Sequence, residues 1–314
     1  MNTPSVAVLG GTGWVGRHVC EVFTRKGYDV MAVARKPAPH LVGCDFQPLD
    51  IAAASPETIA GLLRLGSVNV VINAVDAANA TDGWSRSEAQ LLLTNVDMVE
   101  RLLEAITMLP QRPRLVHLGT IFEYGPVPEG TLLDENAPSD PVSTYARTKL
   151  AGSRAVLDRV GAGELSAMVL RLVNVCGPHP SPASFPGKLM NTVRTAVREG
   201  GPVEVRIADA HRDYVDVRDV AMACWAAAES GVDDRVVNIG SGIAVRIRDL
   251  VERFVSIAGL PLTAIEEIIE PVSSFGPDWV RTDIRLADDL LRWRPEITLT
   301  QSLRAMWESA APTY

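Results

Sequence analysis

Four apolar residues near the start of the chain, Val6-Ala7-Val8-Leu9, run straight into glycines at positions 10, 13 and 16. Val15, Val19, Val22 and Phe23 then recur at helical spacing. A short unbroken apolar run is the pattern of a parallel strand buried on both faces, and the period after it is that of a helix with one inward stripe. The stretch therefore predicts a strand, a tight turn and a helix. Further strands are predicted at 30–34, 44–49, 68–73, 115–118 and 168–172. A long helical period over 84–108 carries Leu91, Leu92, Val96, Val99, Leu102, Leu103 and Ile106, and a second helix is predicted from 144 to about 160. Alternation of strand and helix predicts a doubly wound parallel sheet with its ligand crevice at the strand C-terminal ends.

The pattern changes after Asn174. Cys176-Gly177-Pro178-His179-Pro180-Ser181-Pro182 is too proline-rich to continue regular structure, so a domain crossing is expected there. A helix over 185–199 and a strand over 203–207 follow, and the chain is expected to return to the sheet through 217–230 and 235–239. A helix at 247–258, a strand near 265–269 and a closing helix at 300–310 complete a smaller α+β lobe. The expected division is thus 1–175 with 213–240 for a dinucleotide, and 176–212 with 241–314 for a substrate.

Composition narrows the classes of function. With 314 residues, 47% of them hydrophobic and 22% charged, the chain reads as a soluble enzyme with a large core. A formal charge of -8 argues against nucleic acid as the main partner. The N-terminus carries no basic flank or cleavage pattern, and no apolar run approaches the ~20 residues that cross a bilayer. Cys20, Cys44, Cys176 and Cys224 lack metal or disulfide spacing and read as buried free thiols in a reducing cytoplasm, with no metal site. Asn79-Ala80-Thr81 fits a glycosylation acceptor and is read as chance.

The candidate chemistry starts at the glycine turn. A backbone leaving a strand sharply, with bare amides at the positive end of a helix, suits a diphosphate, and side chains at Gly10 or Gly13 would hold it off. Arg35, with Lys36 beside it at the end of the second strand, suits an extra phosphate on the adenosine ribose and favours NADP(H) over NAD(H). The alternative is a solvated charge pair. Asp50 and Ile51 end the third strand, where an adenine can rest. Asn95 lies inside a helical period at a cost in propensity, as a residue with a polar role or as a surface asparagine. Tyr145 and Lys149, four apart at the start of a helix, share one face, where an ammonium can lower a phenol's pKa; taken alone, such a pair is common on helix surfaces. Thr120, at a strand end, can bond a reacting oxygen from the other side.

Taken together, the motifs resemble the extended short-chain dehydrogenase/reductase family, in particular its nucleotide-sugar epimerases, dehydratases and reductases. The resemblance rests on Gly10-Gly11-Thr12-Gly13-Trp14-Val15-Gly16, Leu118-Gly119-Thr120 with Tyr124-Gly125, Tyr145-Ala146-Arg147-Thr148-Lys149, and Leu170-Arg171-Leu172-Val173-Asn174-Val175-Cys176-Gly177-Pro178. It continues through Arg212-Asp213-Tyr214-Val215-Asp216-Val217-Arg218-Asp219, Val237-Asn238-Ile239-Gly240-Ser241-Gly242 and Leu291-Arg292-Trp293-Arg294-Pro295. The family implies a Rossmann-type sheet, with Tyr145 as acid/base, Lys149 as its tuner and ligand of the nicotinamide ribose, Thr120 on the substrate oxygen and Asn95 in support. It also implies that Gly10, Thr12, Gly13, Trp14 and Val15 cradle the diphosphate, and that Asp50 and Ile51 meet adenine. Asn73, Ala74, Val75 and Leu172 would line the cofactor's path. Ile121, Phe122, Asn174 and Arg212 would face a nucleotide sugar.

Departures from the family pattern narrow the reaction. Ile121-Phe122 stand where dehydratases carry an acidic pair, and Arg35 stands where epimerases that hold NAD carry an acid. The second diphosphate arginine falls on Ser273-Ser274-Phe275, leaving Arg281 or Lys188 as replacements. The resemblance so read implies an NADPH-dependent reductase of a dTDP- or UDP-linked keto sugar, most like a dTDP-4-keto-6-deoxyhexose 4-ketoreductase. An NAD-dependent 4-epimerase is the alternative, and a non-catalytic cofactor sensor a third. It also implies a homodimer through the Tyr145 helix and the long helix before the fifth strand.

Overall fold

The structure, a computed structural model, describes residues 3–76, 86–268 and 276–309. Ser5–Leu9 (β1) passes through the glycine turn into Trp14–Arg25 (α1), followed by Asp29–Ala34 (β2), Asp45–Pro48 (β3), Pro56–Leu65 (α2) and Val70–Asn73 (β4). Glu88–Leu92 (α3) widens into a π-helical turn, Leu93–Asp97, before Met98–Thr107 (α4). Arg114–Thr120 (β5), a 3₁₀ turn at Ile121–Tyr124, Thr144–Gly161 (α5) and Ala167–Leu172 (β6) come next. The remainder is Asn174–Cys176 (β7), Phe185–Glu199 (α6), Val203–Val205 (β8), His211–Asp216 (β9), Val217–Glu229 (α7), Arg235–Ile239 (β10), Ala244–Arg246 (β11), Ile247–Ile257 (α8), Ile265–Glu267 (β12), Arg285–Leu291 (α9) and Leu299–Glu308 (α10).

Seven strands form one parallel sheet in the order β10-β6-β5-β4-β1-β2-β3. Chain order reverses between β1 and β4, and a doubly wound sheet opens a crevice at such a reversal. Successive residues of a strand face opposite ways, so β1 feeds two cores at once. Val6 and Val8 join Phe23 of α1 and Val220 of α7 on one face, while Ala7 and Leu9 join Leu63 of α2 and Leu102 and Ile106 of α4 on the other. A third core gathers Leu189 and Val193 of α6, Leu250 and Phe254 of α8, and Leu303 and Met306 of α10. It lies beside a three-stranded sheet, β11-β9-β7, and a two-stranded one, β12-β8.

Several expectations need correction. The long helix over 84–108 is α3, a π turn and α4. Regular structure runs on to Cys176, the first residue of the proline-rich run, and the strand expected over 203–207 stops at Val205. The strands β7, β9 and β11 were not legible, because three-residue strands show no alternation and β9 buries Asp213 and Asp216 rather than apolar side chains alone. Helices α2 and α9 add to the expected elements. Cys20, Cys176 and Cys224 are buried free thiols, but Cys44 is only half-buried. Asn79-Ala80-Thr81, Trp84, Ile269 and Ser273-Ser274-Phe275 lie outside the described residues.

Candidate active site

The turn after β1 is shaped by what glycine lacks. Gly10 has φ +78°, and its amide donates to Val33 O at 2.9 Å, while the Gly13 amide donates to Gly10 O at 2.8 Å. A Cβ at Gly10 would stand 2.9 Å from Ala74 O, and one at Gly16 would stand 2.1 Å from Gly10 O. Helix α1 begins at Trp14 with no side-chain cap and no acid in its first turn, so its first amides keep their positive partial charge. This bare cradle opens on a cleft of about 560 Å³, a size suited to a cofactor, and it fits the diphosphate of a dinucleotide.

Gly10, Thr12, Gly13, Arg35, Lys36, Asp50, Ile51, Ala74 and Val75 all line that cleft. Other expected cofactor residues lie elsewhere. Asn73 is 1% exposed beneath the cleft wall; its Oδ1 accepts from Val75 N at 3.3 Å and its Nδ2 lies 3.1 Å from His117 Nδ1. The Trp14 indole donates to Pro178 O at 2.9 Å, toward the proline-rich crossing, and Val15 packs against the core. Leu172 is buried at the end of β6, paired with Thr120. Asp76, Arg86 and Thr94 line the cleft as well and were missed. The signal for Asp76 was an acid placed directly after Asn73-Ala74-Val75 at a strand C-terminal end.

Thr120 ends β5, where its Oγ1 accepts from Phe122 N at 3.4 Å and its amide donates to Glu123 Oε1 at 2.9 Å. Tyr145 stands in the first turn of α5, which Ser143 caps by accepting from Ala146 N at 3.1 Å. The Thr120 hydroxyl lies close enough to the Tyr145 phenol to favour its ionised form. The phenol donates to Asp76 Oδ2 at 3.1 Å. Burial, then the Asp76 carboxylate, then Glu123 push Tyr145 well above the usual phenol range, against a smaller pull from Thr120. This reverses the expectation that a neighbouring ammonium brings the phenol down. Lys149 Nζ instead donates to Leu118 O at 2.6 Å, buried behind the strand.

Asn95 has a structural task. In the π turn it is buried and donates from Nδ2 to Thr148 Oγ1 at 2.9 Å, and Thr148 Oγ1 donates to Tyr145 O at 2.9 Å. The asparagine therefore holds the backbone of Tyr145 through one intermediary. Beneath Thr120 lies a second network that sequence reading did not assemble. Glu123, fully buried, accepts from Ser153 Oγ at 3.0 Å and from Arg171 Nε at 2.8 Å, and Arg171 stacks over the Tyr124 ring. A buried ion pair of this kind is tolerable only because each charge is multiply bonded.

On the substrate side, Ile121 and Phe122 are buried in the 3₁₀ turn, and the Phe122 ring faces the Arg212 guanidinium at 6.0 Å. Arg212 Nη2 donates to Gly276 O at 3.1 Å. Asn174 is half-buried, with Nδ2 donating to Asp213 O at 3.3 Å. Lys188 is exposed on α6, and exposed Arg281 donates from Nε to Gly242 O at 3.2 Å. Among the described residues, no three His, Cys, Asp or Glu side chains are grouped to hold a metal, and no helix is long and apolar enough to cross a membrane.

Comparison with known proteins gives the chain a family. The profile of the NAD dependent epimerase/dehydratase family matches residues 6–240. The chain is 36% identical over 313 residues to a dTDP-6-deoxy-L-talose 4-dehydrogenase (NAD(P)(+)) of Kitasatospora kifunensis, covering 98% of this chain and 96% of that one. It is 26% identical over 316 residues to a GDP-6-deoxy-D-mannose reductase of Pseudomonas aeruginosa, covering 98% of both. In fold it is similar to the UDP-glucose 4-epimerase of Thermus thermophilus solved with NAD, with TM-score 0.86, 23% identity and coverage of 99% and 100%.

Proposed function

Because the chain belongs to the NAD dependent epimerase/dehydratase family, within the extended short-chain dehydrogenases/reductases, we propose that it reduces a nucleotide-linked keto sugar with NADPH. The substrate in this reading is a dTDP-4-keto-6-deoxyhexose, reduced at C4 in deoxysugar assembly. The observation that carries it is Tyr145, a buried phenol whose hydroxyl donates to Asp76 Oδ2 on the cleft wall, with the Thr120 hydroxyl beside it. A positioned acid of this kind suits net addition of hydrogen to a carbonyl. The exposed cations Arg35 and Lys36 on the cleft wall support a cofactor with a ribose phosphate. The named activities of the two relatives support a dTDP- or similarly linked sugar.

The turn at Gly10, Thr12 and Gly13, with the first amides of α1, would hold the cofactor's diphosphate, and Asp50 and Ile51 its adenosine. A bound nicotinamide supplies the hydride. Tyr145 gives its proton to the carbonyl oxygen as charge builds there, and Thr120 donates a hydrogen bond to the same oxygen. Lys149, anchored on Leu118 O, and Asn95, acting through Thr148, hold the start of α5 against β5. Arg212 beside Phe122 would meet the diphosphate of the sugar nucleotide, with Asn174 at the substrate's edge. A cytoplasmic homodimer through α5 and the α3–α4 arm, where Leu92 and Leu93 are exposed, belongs to the same reading; a monomeric mass by light scattering overturns that part.

The pH dependence follows from the raised pKa of Tyr145. The acid form persists through neutrality, so reduction stays level there and falls only in alkali as the phenol ionises. Oxidation of the alcohol needs the phenolate and rises with pH. The test is incubation with NADPH and a panel of dTDP- and UDP-keto sugars, with the products read by NMR and Tyr145→Phe run alongside. One alcohol per NADPH consumed is expected, with kcat lowered by about 10²–10⁴-fold in Tyr145→Phe. Interconversion of C4 epimers without net use of NADPH, with NAD copurifying, means a 4-epimerase and overturns the reading.

A further inference from the structure

The Tyr145 phenol donates to a carboxylate that the motifs behind the family resemblance do not include. Asp76 follows β4 and lines the cleft, and the Tyr145 hydroxyl donates to it there. Three other titratable groups around it are committed elsewhere. Lys149, on the same helix, is bonded to Leu118 O; His117 on β5 is kept neutral by burial and sits against Asn73; Glu123, on the 3₁₀ turn, is sealed among Thr120 N, Ser153 and Arg171. Arg86 lines the same cleft as Asp76. Of these, Asp76 is the group that both accepts from the phenol and fronts open space.

We propose that Asp76 is a positioning residue that keeps the proton on Tyr145 until a substrate oxygen takes it, and then returns a proton from cleft water to the phenolate. The inference rests on Tyr145 being the proton donor of the proposed reduction. The steps balance. The Tyr145 O–H bond breaks as the substrate O–H bond forms. Phenolate and carboxylate, 3.1 Å apart, then cannot both stay ionised at low cost, so the pair takes up one solvent proton at the Asp76 carboxylate. That proton moves to the phenolate and restores the starting state. The net uptake is one proton per alcohol formed, as ketone reduction requires.

The decisive measurement needs no cofactor or substrate. Ultraviolet difference titration of tyrosinate in the free protein, with Tyr145→Phe identifying the Tyr145 signal, is compared between wild type and Asp76→Asn. The midpoint for Tyr145 is expected to fall by about one unit or more in Asp76→Asn; an unchanged midpoint overturns the inference. The second arm uses Asp76→Ala under keto-sugar turnover, where added formate is expected to restore part of the lost rate and move the alkaline limb of the pH profile back toward wild type. No response to formate overturns the proton-return step, since a purely structural side chain is not replaced by a free carboxylate. Were the titration to shift while no keto sugar is reduced, the proposed function fails and the Asp76–Tyr145 coupling stands. An unmoved midpoint in an active reductase removes the coupling and leaves the proposed function standing.

Discussion

Single residues here take their properties from partners distant in sequence. Tyr145 is an ordinary helical tyrosine until β4 brings Asp76 to its hydroxyl, and Glu123 is an ordinary turn residue until Arg171 meets it from β6. The cysteines show the same dependence. Cys44 is half-buried, and its thiol is brought down, first by the neighbouring Cys20 and then by the Thr24 hydroxyl, with burial opposing. Burial instead pushes Cys176 and Cys224 up to about 12. The thiolate is the reactive form, so iodoacetamide at neutral pH should modify Cys44 well before the other three, with a rate that falls as the pH is lowered. Peptide mapping by mass spectrometry checks this, and equal labelling of all four would contradict the local electrostatics.

Elements were legible in proportion to their length. Strands β1, β2, β4, β5 and β6, and helices α1, α5 and α6, each carry enough period for their existence to be read, because core faces repeat every two or 3.6 residues. The π turn was not legible, since hydrophobic spacing changes little across one widened turn. Its purpose shows in its packing: a Cβ at Gly152 of α5 would stand 2.2 Å from the Asn95 carbonyl. The backbone of one helix thus lies directly on the other, and the Asn95 side chain reaches Thr148 from there. Gly152→Ala must separate the two elements and is expected to cost about 1–3 kcal/mol as an overpacked contact. Urea unfolding of the variant measures it, and a wild-type midpoint would show that the close approach carries no strain.

Across the whole molecule, β9 joins the parts. Asp213 accepts from Ser241 N at 2.8 Å, Ser241 Oγ at 2.6 Å, Gly242 N at 2.9 Å and Thr282 N at 3.3 Å, tying the strand that carries Arg212 to the segment after β10 and to the segment before α9. Asp219 similarly accepts from Glu296 N and Ile297 N. Asp213→Asn would turn amide protons toward backbone donors and leave some of these groups unpaired, at an expected cost of about 1–3 kcal/mol. Calorimetry at neutral pH checks the loss, and an unshifted melting transition would mean that the junction tolerates it.

The sequence alone determined the parallel sheet, the glycine cradle and the types of residue at Thr120, Tyr145 and Lys149, because each is encoded by spacing within a few tens of residues of continuous chain. Tertiary structure decided what those residues face. Asp76 beside the phenol, Lys149 turned to Leu118 O, Arg171 on Glu123 and the short strands around β9 all depend on contacts between segments far apart in the chain. Local periodicity carries no record of such contacts, since a polar side chain reads the same in a sequence whether the fold leaves it in water or buries it against a charge.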